Sequence, residues 1–112
     1  MTGQYKVKNV VTELTESTFD KFIESNSKAV IDCWAPWCGP CRRMAPVMEE
    51  LSNELSGRAG VAKLNVDNSP AISIRFGIRA IPTVLIFKDG VLIETLVGLR
   101  GKEDIMEYVD TM

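Results

Sequence analysis

The sequence has no histidine and only three cysteines among its 112 residues. Without histidine, the chain cannot form an imidazole-based catalytic triad, and it lacks the usual general base of neutral pH. The same absence removes a common ligand of zinc and haem, so we expect no metal site. Three cysteines are an odd number and too few for a secreted scaffold stabilised by several disulfides. The cysteines are therefore candidates for chemistry rather than for cross-linking.

Long hydrophobic runs, an excess of basic charge and an apolar N-terminal segment are missing as well. The longest uninterrupted stretch of aliphatic and aromatic residues, Val84–Phe87, is far too short to cross a bilayer. A net charge of −2 and a pI near 5.1 argue against a nucleic-acid partner, because nucleic acids bind basic surfaces. Residues 1–8 lack the apolar core of a secretory signal, so we expect a cytoplasmic location without membrane contact.

The composition is that of an ordinary globular domain, with 46% hydrophobic and 25% charged residues. A chain of this length has enough apolar material for a core that needs no metal or disulfide support. We therefore expect one domain over residues 1–112, with residues 1–6 as a flexible N-terminal extension.

The hydrophobic pattern alternates between the periods of strands and helices. Five strands are predicted, at Val7–Leu14, Ala29–Trp34, Val61–Val66, Thr83–Phe87 and Val91–Val97. Helical periods include Phe19–Ile23 (with Thr15 and Ser17 as N-cap candidates), Cys38–Leu55, a short helical or irregular crossover at Ser69–Phe76, and Gly101–Asp110. Asp89–Gly90 predicts a two-residue hairpin turn between the last two strands. This order predicts an α/β fold: a mixed sheet with a parallel core and an antiparallel C-terminal hairpin, covered by helices on both faces.

The segment Cys38-Gly39-Pro40-Cys41 lies where a buried strand gives way to a helix. Free backbone N–H groups and the helix dipole favour a thiolate on Cys38 at that position. Cys41 follows three residues later on the same helix face, within reach of a disulfide. Pro40 suits the first turn of a helix and limits motion between the two sulfurs. The motif therefore predicts dithiol–disulfide exchange.

In that exchange, the Cys38 thiolate attacks a substrate disulfide, and Cys41 then attacks the mixed disulfide. The second step is intramolecular and therefore fast. Three other interpretations of the pair exist: a structural disulfide, half of a zinc site, or two inert buried thiols. A disulfide closing so short a loop stabilises by only about 2 kcal/mol, and zinc needs four ligands where one further cysteine remains.

The segment Trp34–Cys41 resembles the active-site signature of the thioredoxin family, nearly residue for residue. The resemblance extends from about Val7 to Met112 and includes Asp32, Lys63–Asp67, Gly77–Thr83, Phe87–Gly90 and Gly98. It implies a central mixed sheet flanked by helices and the reduction of disulfide-containing client proteins. It also implies electrons from a thioredoxin reductase, and no cofactor beyond the Cys38–Cys41 disulfide.

Two charged residues in predicted strands are candidates for tuning the site. Asp32 lies inside an apolar strand, where burial should raise its pKa to a value that suits a general base. The resemblance implies that Asp32 deprotonates Cys41, directly or through a water; otherwise it is an idle, hydrogen-bonded acid at a strand end. Lys63 matches the family's lysine near that aspartate, and it either pairs with Asp32 or is an exposed strand lysine.

The resemblance also implies a substrate-binding surface. The family keeps a cis-proline at the Ile81–Pro82 position, which would present the Ile81 backbone to an extended substrate segment. The residues alone would favour a trans-proline at the start of a strand. Trp37 is a docking residue or packs in the core, and Gly98 lets a partner backbone approach or is a simple loop glycine.

Cys33 departs from the family, which commonly has an aromatic residue at that position. In a buried strand we expect Cys33 to be an inert small hydrophobic residue, with a regulatory thiol as the alternative. Arg42 replaces a more frequent lysine and keeps the charge, so the departure concerns partner preference alone.

Two other functions compete with a reductant. A disulfide isomerase or oxidant of the same fold is one, although such relatives tend to carry a histidine between the cysteines. A binding subunit that uses the surface around Trp37, Ile81 and Gly98 without turnover is the other. Because the site must stay exposed, we expect a monomer.

Overall fold

A five-stranded mixed sheet forms the centre of the structure, a computed structural model that describes residues 11–112. Its strands are β1 Thr12–Leu14, β2 Lys28–Trp34, β3 Gly60–Asn65, β4 Thr83–Lys88 and β5 Val91–Val97. They lie in the order β1-β3-β2-β4-β5, with β2 at the centre. The predicted strand 7–14 starts outside the described residues, as does the predicted extension 1–6.

Within residues 11–112, three α-helices and one 3₁₀ turn connect these strands, and a fourth α-helix follows β5. The helices are α1 Phe19–Ser25, α2 Gly39–Glu54, α3 Pro70–Arg75 and α4 Lys102–Thr111, and the 3₁₀ turn is Val66–Asn68. The predicted order of strands and helices is confirmed. Among residues 11–112, none of the helices combines the length and apolar character that crossing a membrane requires.

The strand directions confirm a mixed sheet and locate the change of direction within it. Strands β1, β3 and β2 are parallel, whereas β4 is antiparallel to β2 and β5 is antiparallel to β4. The antiparallel part therefore begins beside the central strand. As a result, β2 has a parallel neighbour on one side and an antiparallel neighbour on the other.

Strand β2 is buried on both faces because its residues alternate between two hydrophobic clusters. Ile31 and Cys33 belong to one cluster, together with residues of α1 and α3. Val30 belongs to the other cluster, together with residues of α2 and α4. Asp32 follows Val30 at the period of two, so its carboxyl group lies on the face that α2 and α4 cover.

The turn between β4 and β5 is the predicted two-residue hairpin. Lys88 pairs with Val91, which leaves Asp89 and Gly90 as the loop. Their φ angles are 51° and 80°, and positive φ at both central residues is what a type I′ turn requires. Aspartate and glycine tolerate this region better than other residues, so the sequence and the turn agree.

The N-cap prediction for α1 was wrong. Thr18, rather than Thr15 or Ser17, is the N-cap, and its side chain makes no capping hydrogen bond. The Thr18 hydroxyl oxygen instead accepts a hydrogen bond from the Thr15 backbone N–H at 2.9 Å. The Thr18 hydroxyl group therefore hydrogen-bonds within the turn before α1 and does not cap the first N–H groups of the helix.

We expect Phe87→Ala to lower the free energy of unfolding by about 3–5 kcal/mol, measured by urea denaturation. Phe87 is 1% exposed, and its ring centre lies 5.8 Å from that of Phe19 and 5.4 Å from that of Phe76. The matched control is Ile74→Ala, because Ile74 is 81% exposed and should change stability by about 0.5 kcal/mol or less. Equal losses in the two variants would contradict this account of the core.

Candidate active site

The turn from β2 into α2 places Cys38 at the N-terminus of the helix. Cys38 is the N-cap residue, with extended backbone angles of φ −91° and ψ 113°, and Pro40 lies in the first helical turn. The Cys38 sulfur accepts a hydrogen bond from the Cys41 backbone N–H at 3.2 Å. A sulfur that accepts a backbone N–H at the positive end of a helix dipole is stabilised as an anion. The predicted helix N-terminal position of Cys38 is confirmed.

Cys38 and Cys41 form a disulfide in this structure, with 5.3 Å between their Cα atoms. Gly39 and Pro40 complete the loop between the bonded sulfurs. Both cysteines are buried, with 5% and 4% of their surface exposed. The pair that the spacing predicts is therefore joined, and the structure is that of the oxidised protein.

The loop before β4 lies against the Cys38 sulfur. The Ile81–Pro82 peptide bond is cis, as the resemblance implies, and the Ile81 carbonyl oxygen lies 3.8 Å from Cys38 Sγ. Gly98 has a φ of 93° and donates its backbone N–H to the Pro82 carbonyl oxygen at 2.8 Å. A positive φ explains why glycine occupies this position. The fold thus places Ile81, Pro82 and Gly98 in one cluster beside Cys38.

Trp37 is exposed over 67% of its surface, so the alternative of core packing was wrong. Its indole N–H donates to the Asp67 carboxylate at 3.0 Å and 3.3 Å. Sequence reasoning gave Asp67 no role. A signal was available, because parallel β2 and β3 end at the same edge of the sheet, and the two residues follow those ends.

Asp32 is a buried carboxyl group at the centre of the sheet, with 4% of its surface exposed. No described residue donates a hydrogen bond to its Oδ1 atom. Burial raises the pKa of Asp32 from its ordinary 3.8 to about 7, and the nearby positive charge of Lys63 opposes part of that rise. The predicted direction of this pKa is confirmed, and the alternative of a hydrogen-bonded idle acid finds no support at Oδ1.

Lys63 lies directly opposite Asp32 on the neighbouring strand β3. Its ammonium group lies 4.0 Å from Glu13 Oε1 and 5.6 Å from the centre of the Trp34 ring. Its side chain is 40% exposed. Lys63 therefore faces Asp32 across the strands, while its ion pair is with Glu13. Sequence reasoning missed Glu13, which alternation places on the same face of β1 as Lys63 on β3.

A cleft of about 450 Å³ lies beside the disulfide and joins Asp32 to Cys41. Lys63 and Trp34 belong to its wall. Helix α2 adds Cys41, Ala45, Glu49 and Asn53, which recur every four residues, and Arg42, which follows Cys41. Residues at this spacing lie on one face of a helix, so the sequence alone places Glu49 and Asn53 on the helix face of Cys41. Cys41 and Asp32 therefore line the same cleft.

Cys33 lies apart from this chemistry. It is a free, fully buried thiol in the cluster on the opposite face of the sheet. Burial raises the pKa of its thiol well above the usual range, and the neighbouring Asp32 adds to the rise. Cys33 therefore stays protonated, which agrees with the expected inert hydrophobic role. Among residues 11–112, no group of three or more Cys, Asp or Glu side chains could hold a metal ion.

Comparisons with known proteins agree with this geometry. A family model described as thioredoxin matches residues 10–111. Thioredoxin of Staphylococcus haemolyticus is 42% identical over 100 residues, which cover 89% of this chain and 95% of the relative. Thioredoxin 1 of Synechococcus elongatus is 41% identical over 103 residues, which cover 91% of this chain and 96% of the relative.

A solved structure gives the same result for the fold. A mutant thioredoxin from Halobacterium salinarum superposes with a TM-score of 0.86 at 29% identity, over 97% of this chain and 95% of that chain. The family match covers nearly the whole sequence, and the joined Cys38–Cys41 pair stands at the start of α2. The chain therefore belongs to the thioredoxin family and is a thioredoxin-type dithiol–disulfide oxidoreductase.

Proposed function

We propose that the chain works as a reductant of disulfide bonds in client proteins, with Cys38 as the attacking and Cys41 as the resolving cysteine. The observation that carries this assignment is the hydrogen bond from the Cys41 backbone N–H to the Cys38 sulfur at the start of α2. This bond and the helix dipole favour negative charge on Cys38 and not on Cys41. The two cysteines therefore take different roles.

The first step transfers the client to Cys38. The Cys38 thiolate attacks one sulfur of the client disulfide, the client S–S bond breaks, and the second client sulfur leaves as a thiolate that takes a proton. The product is a mixed disulfide between Cys38 and the client. The reduced form needed for this step comes from two electrons, which we propose a thioredoxin reductase delivers.

The second step releases the client. Asp32 accepts the proton of the Cys41 thiol, directly or through a water, and the Cys41 thiolate attacks Cys38 Sγ. The mixed disulfide breaks, the client leaves with both sulfurs reduced, and the Cys38–Cys41 disulfide forms. The client gains two electrons, which the protein loses. The shared cleft of Asp32 and Cys41 supports this role for Asp32.

The surface beside Cys38 is the proposed client-binding site. Trp37 is exposed next to Cys38, the Ile81 carbonyl oxygen lies against the Cys38 sulfur, and Gly98 hydrogen-bonds to Pro82 beside it. An extended client segment along the Ile81 backbone would bring its disulfide to Cys38. Gly39 and Pro40 set the distance between the two sulfurs, and Lys63 tunes Asp32.

The remaining proposals concern the setting in which the chain works. We propose a cytoplasmic location, because a reductant needs a compartment that keeps its dithiol reduced. A reductant is favoured over an oxidant or isomerase by the Gly39–Pro40 pair between the cysteines. We propose one domain over residues 1–112 acting as a monomer, which leaves the surface around Trp37 free for clients.

We expect the two cysteine variants to fail in different ways. Cys38→Ser should reduce a client disulfide at the background rate, because the attacking thiolate is gone. Cys41→Ser should accumulate one covalently attached client, because the mixed disulfide cannot be resolved. The measurement is a single turnover: each protein is first reduced, freed of the reductant and mixed with the client disulfide, and client thiols and any covalent adduct are followed by intact mass spectrometry.

The control for these variants is Cys33→Ala, which removes the buried thiol on the other face and should keep turnover and give no adduct. An adduct on Cys38→Ser, with none on Cys41→Ser, would reverse the assigned roles. Full client binding and function in a Cys38→Ser/Cys41→Ser double variant would support the binding subunit instead.

Asp32 should give the resolution step its pH dependence. The rate should rise as pH passes through about 7, where the carboxyl group loses its proton and becomes able to act as a base. Asp32→Asn should remove this inflection and slow resolution by about a hundredfold at pH 7. Single-turnover reduction of a disulfide substrate in a stopped-flow instrument, between pH 5 and pH 9, gives the profile.

The matched control is Glu49→Gln, which neutralises another carboxylate in the same cleft and should keep an inflection near pH 7. Loss of the inflection in Glu49→Gln, with its retention in Asp32→Asn, would assign the base to Glu49.

Burial of Asp32 should also make the protein less stable as pH rises. Because its folded pKa of about 7 lies above the ordinary 3.8, the folded chain keeps a proton that the unfolded chain loses between these values. The free energy of unfolding should therefore fall between about pH 4 and pH 8, by up to about 4 kcal/mol from this group. Asp32→Asn should abolish that fall.

Urea denaturation at pH 4, 6 and 8 measures this dependence. Asp89→Asn is the control, because asparagine also adopts the positive φ of that turn position and should leave the pH dependence unchanged. A parallel pH dependence in the wild type and in Asp32→Asn would show that Asp32 is not the group responsible.

A further inference from the structure

Three charged side chains form a row across three neighbouring strands. Glu13 of β1 pairs in register with Lys63 of β3, and Lys63 pairs in register with Asp32 of β2. Residues directly opposite one another in adjacent parallel strands point to the same face of the sheet. The row therefore places Lys63 between two acidic residues, one at the sheet edge and one at its centre.

The ammonium group lies toward the outer end of this row. It is 4.0 Å from Glu13 Oε1, and it makes no ion pair with Asp32 within the same distance. The Trp34 ring centre lies 5.6 Å away, a further favourable contact for a cation. Glu13 is 52% exposed, whereas Asp32 is almost fully buried. A long, flexible lysine side chain can take either direction, so the partner that contacts it decides how near it comes to Asp32.

We propose that Glu13 is a positioning residue that holds the Lys63 ammonium toward β1, and thereby limits how strongly Lys63 stabilises the charged form of Asp32. This inference rests on the proposed function of Asp32 as the base for Cys41. Lys63 does act on Asp32, since its positive charge opposes the rise that burial causes in the pKa of Asp32. The ion pair with Glu13 sets the strength of that action.

Helix α2 adds other charged groups to the cleft that Asp32 lines. Arg42 and Glu49 line the cleft on that helix and carry opposite charges, and Cys41 is bonded to Cys38 in the oxidised protein. On the other side of β2, the register partner of Asp32 is Val84 of β4, which carries no charge. Among residues 11–112, Glu13 is the carboxylate within ion-pair distance of Lys63.

The test is the substitution Glu13→Gln, with the carboxyl carbon of Asp32 followed by NMR as pH is varied. Removing the Glu13 charge releases Lys63 toward Asp32 and favours the carboxylate, so the measured pKa of Asp32 should fall by about 0.2 to 0.7. The fall should shrink in about 1 M salt, because the Glu13–Lys63 pair is partly exposed. Glu13→Asp should restore much of the original value.

Two further variants make the test specific. Glu24→Gln makes the same chemical change on α1, which packs on the opposite face of the sheet, and should leave the pKa of Asp32 unchanged. Lys63→Met should raise that pKa, and adding Glu13→Gln to it should give little further change. Two results would overturn the inference: an unchanged Asp32 pKa in Glu13→Gln, or an equally large fall in that pKa when Glu13→Gln is added to Lys63→Met.

The single-turnover pH profile separates this inference from the proposed function. If the pKa of Asp32 falls in Glu13→Gln and the resolution rate has its inflection at a correspondingly lower pH, both the positioning role of Glu13 and the base role of Asp32 are supported. If the NMR value falls and the inflection does not move, the positioning role of Glu13 stands and the proposed base role of Asp32 fails.

Discussion

The burial of strand β2 on both faces and along both edges is the constraint on which the site depends. Because β3 and β4 pair with it on either side, β2 has a fixed position and register, and its last residues lead directly into the motif. Asp32 is held in the sheet by the same pairing, with 4% of its surface exposed. Alternation along this one strand also separates Asp32 from Cys33, which lies in the opposite cluster. One buried strand thus places a perturbed acid and an inert thiol in different environments, and it ends four residues before Cys38 of the reactive pair.

Two opposite electrostatic environments lie within a few residues of each other. At the start of α2, a backbone N–H and the helix dipole favour negative charge on Cys38. Inside the sheet, the loss of water disfavours negative charge on Asp32. The first environment favours the anionic form of a thiol, and the second raises the pKa of a carboxyl group to about 7. The proposed exchange uses both, because one sulfur attacks the client first and the other is deprotonated later.

The order of strands and helices, the hairpin turn and the location of the reactive pair could be predicted from the sequence, because each depends on local residue types. Asp89–Gly90 needs no distant partner to form its turn. The position of Cys38 at a helix N-terminus follows from the local change from a strand pattern to a helix pattern, whatever the order of the strands in the sheet. The partners of Trp37 and Lys63 were missed because Asp67 and Glu13 reach them only through strand pairing. The N-cap of α1 was misassigned for a local reason: several hydroxyl groups compete within one turn, and their side-chain geometry decides among them.

The sheet order further divides the chemistry of the two cysteines. Cys38 lies against Ile81, in the loop that leads into β4, and Gly98 follows β5 and hydrogen-bonds to that loop. Cys41 opens instead into the cleft that it shares with Asp32 and Lys63, on the side of β3 and β1. Since β3 and β4 lie on opposite sides of β2, the Ile81 loop and this cleft lie on different sides of the central strand. In the proposed mechanism, a client bound at the Ile81 loop would therefore leave free the cleft that Cys41 shares with Asp32.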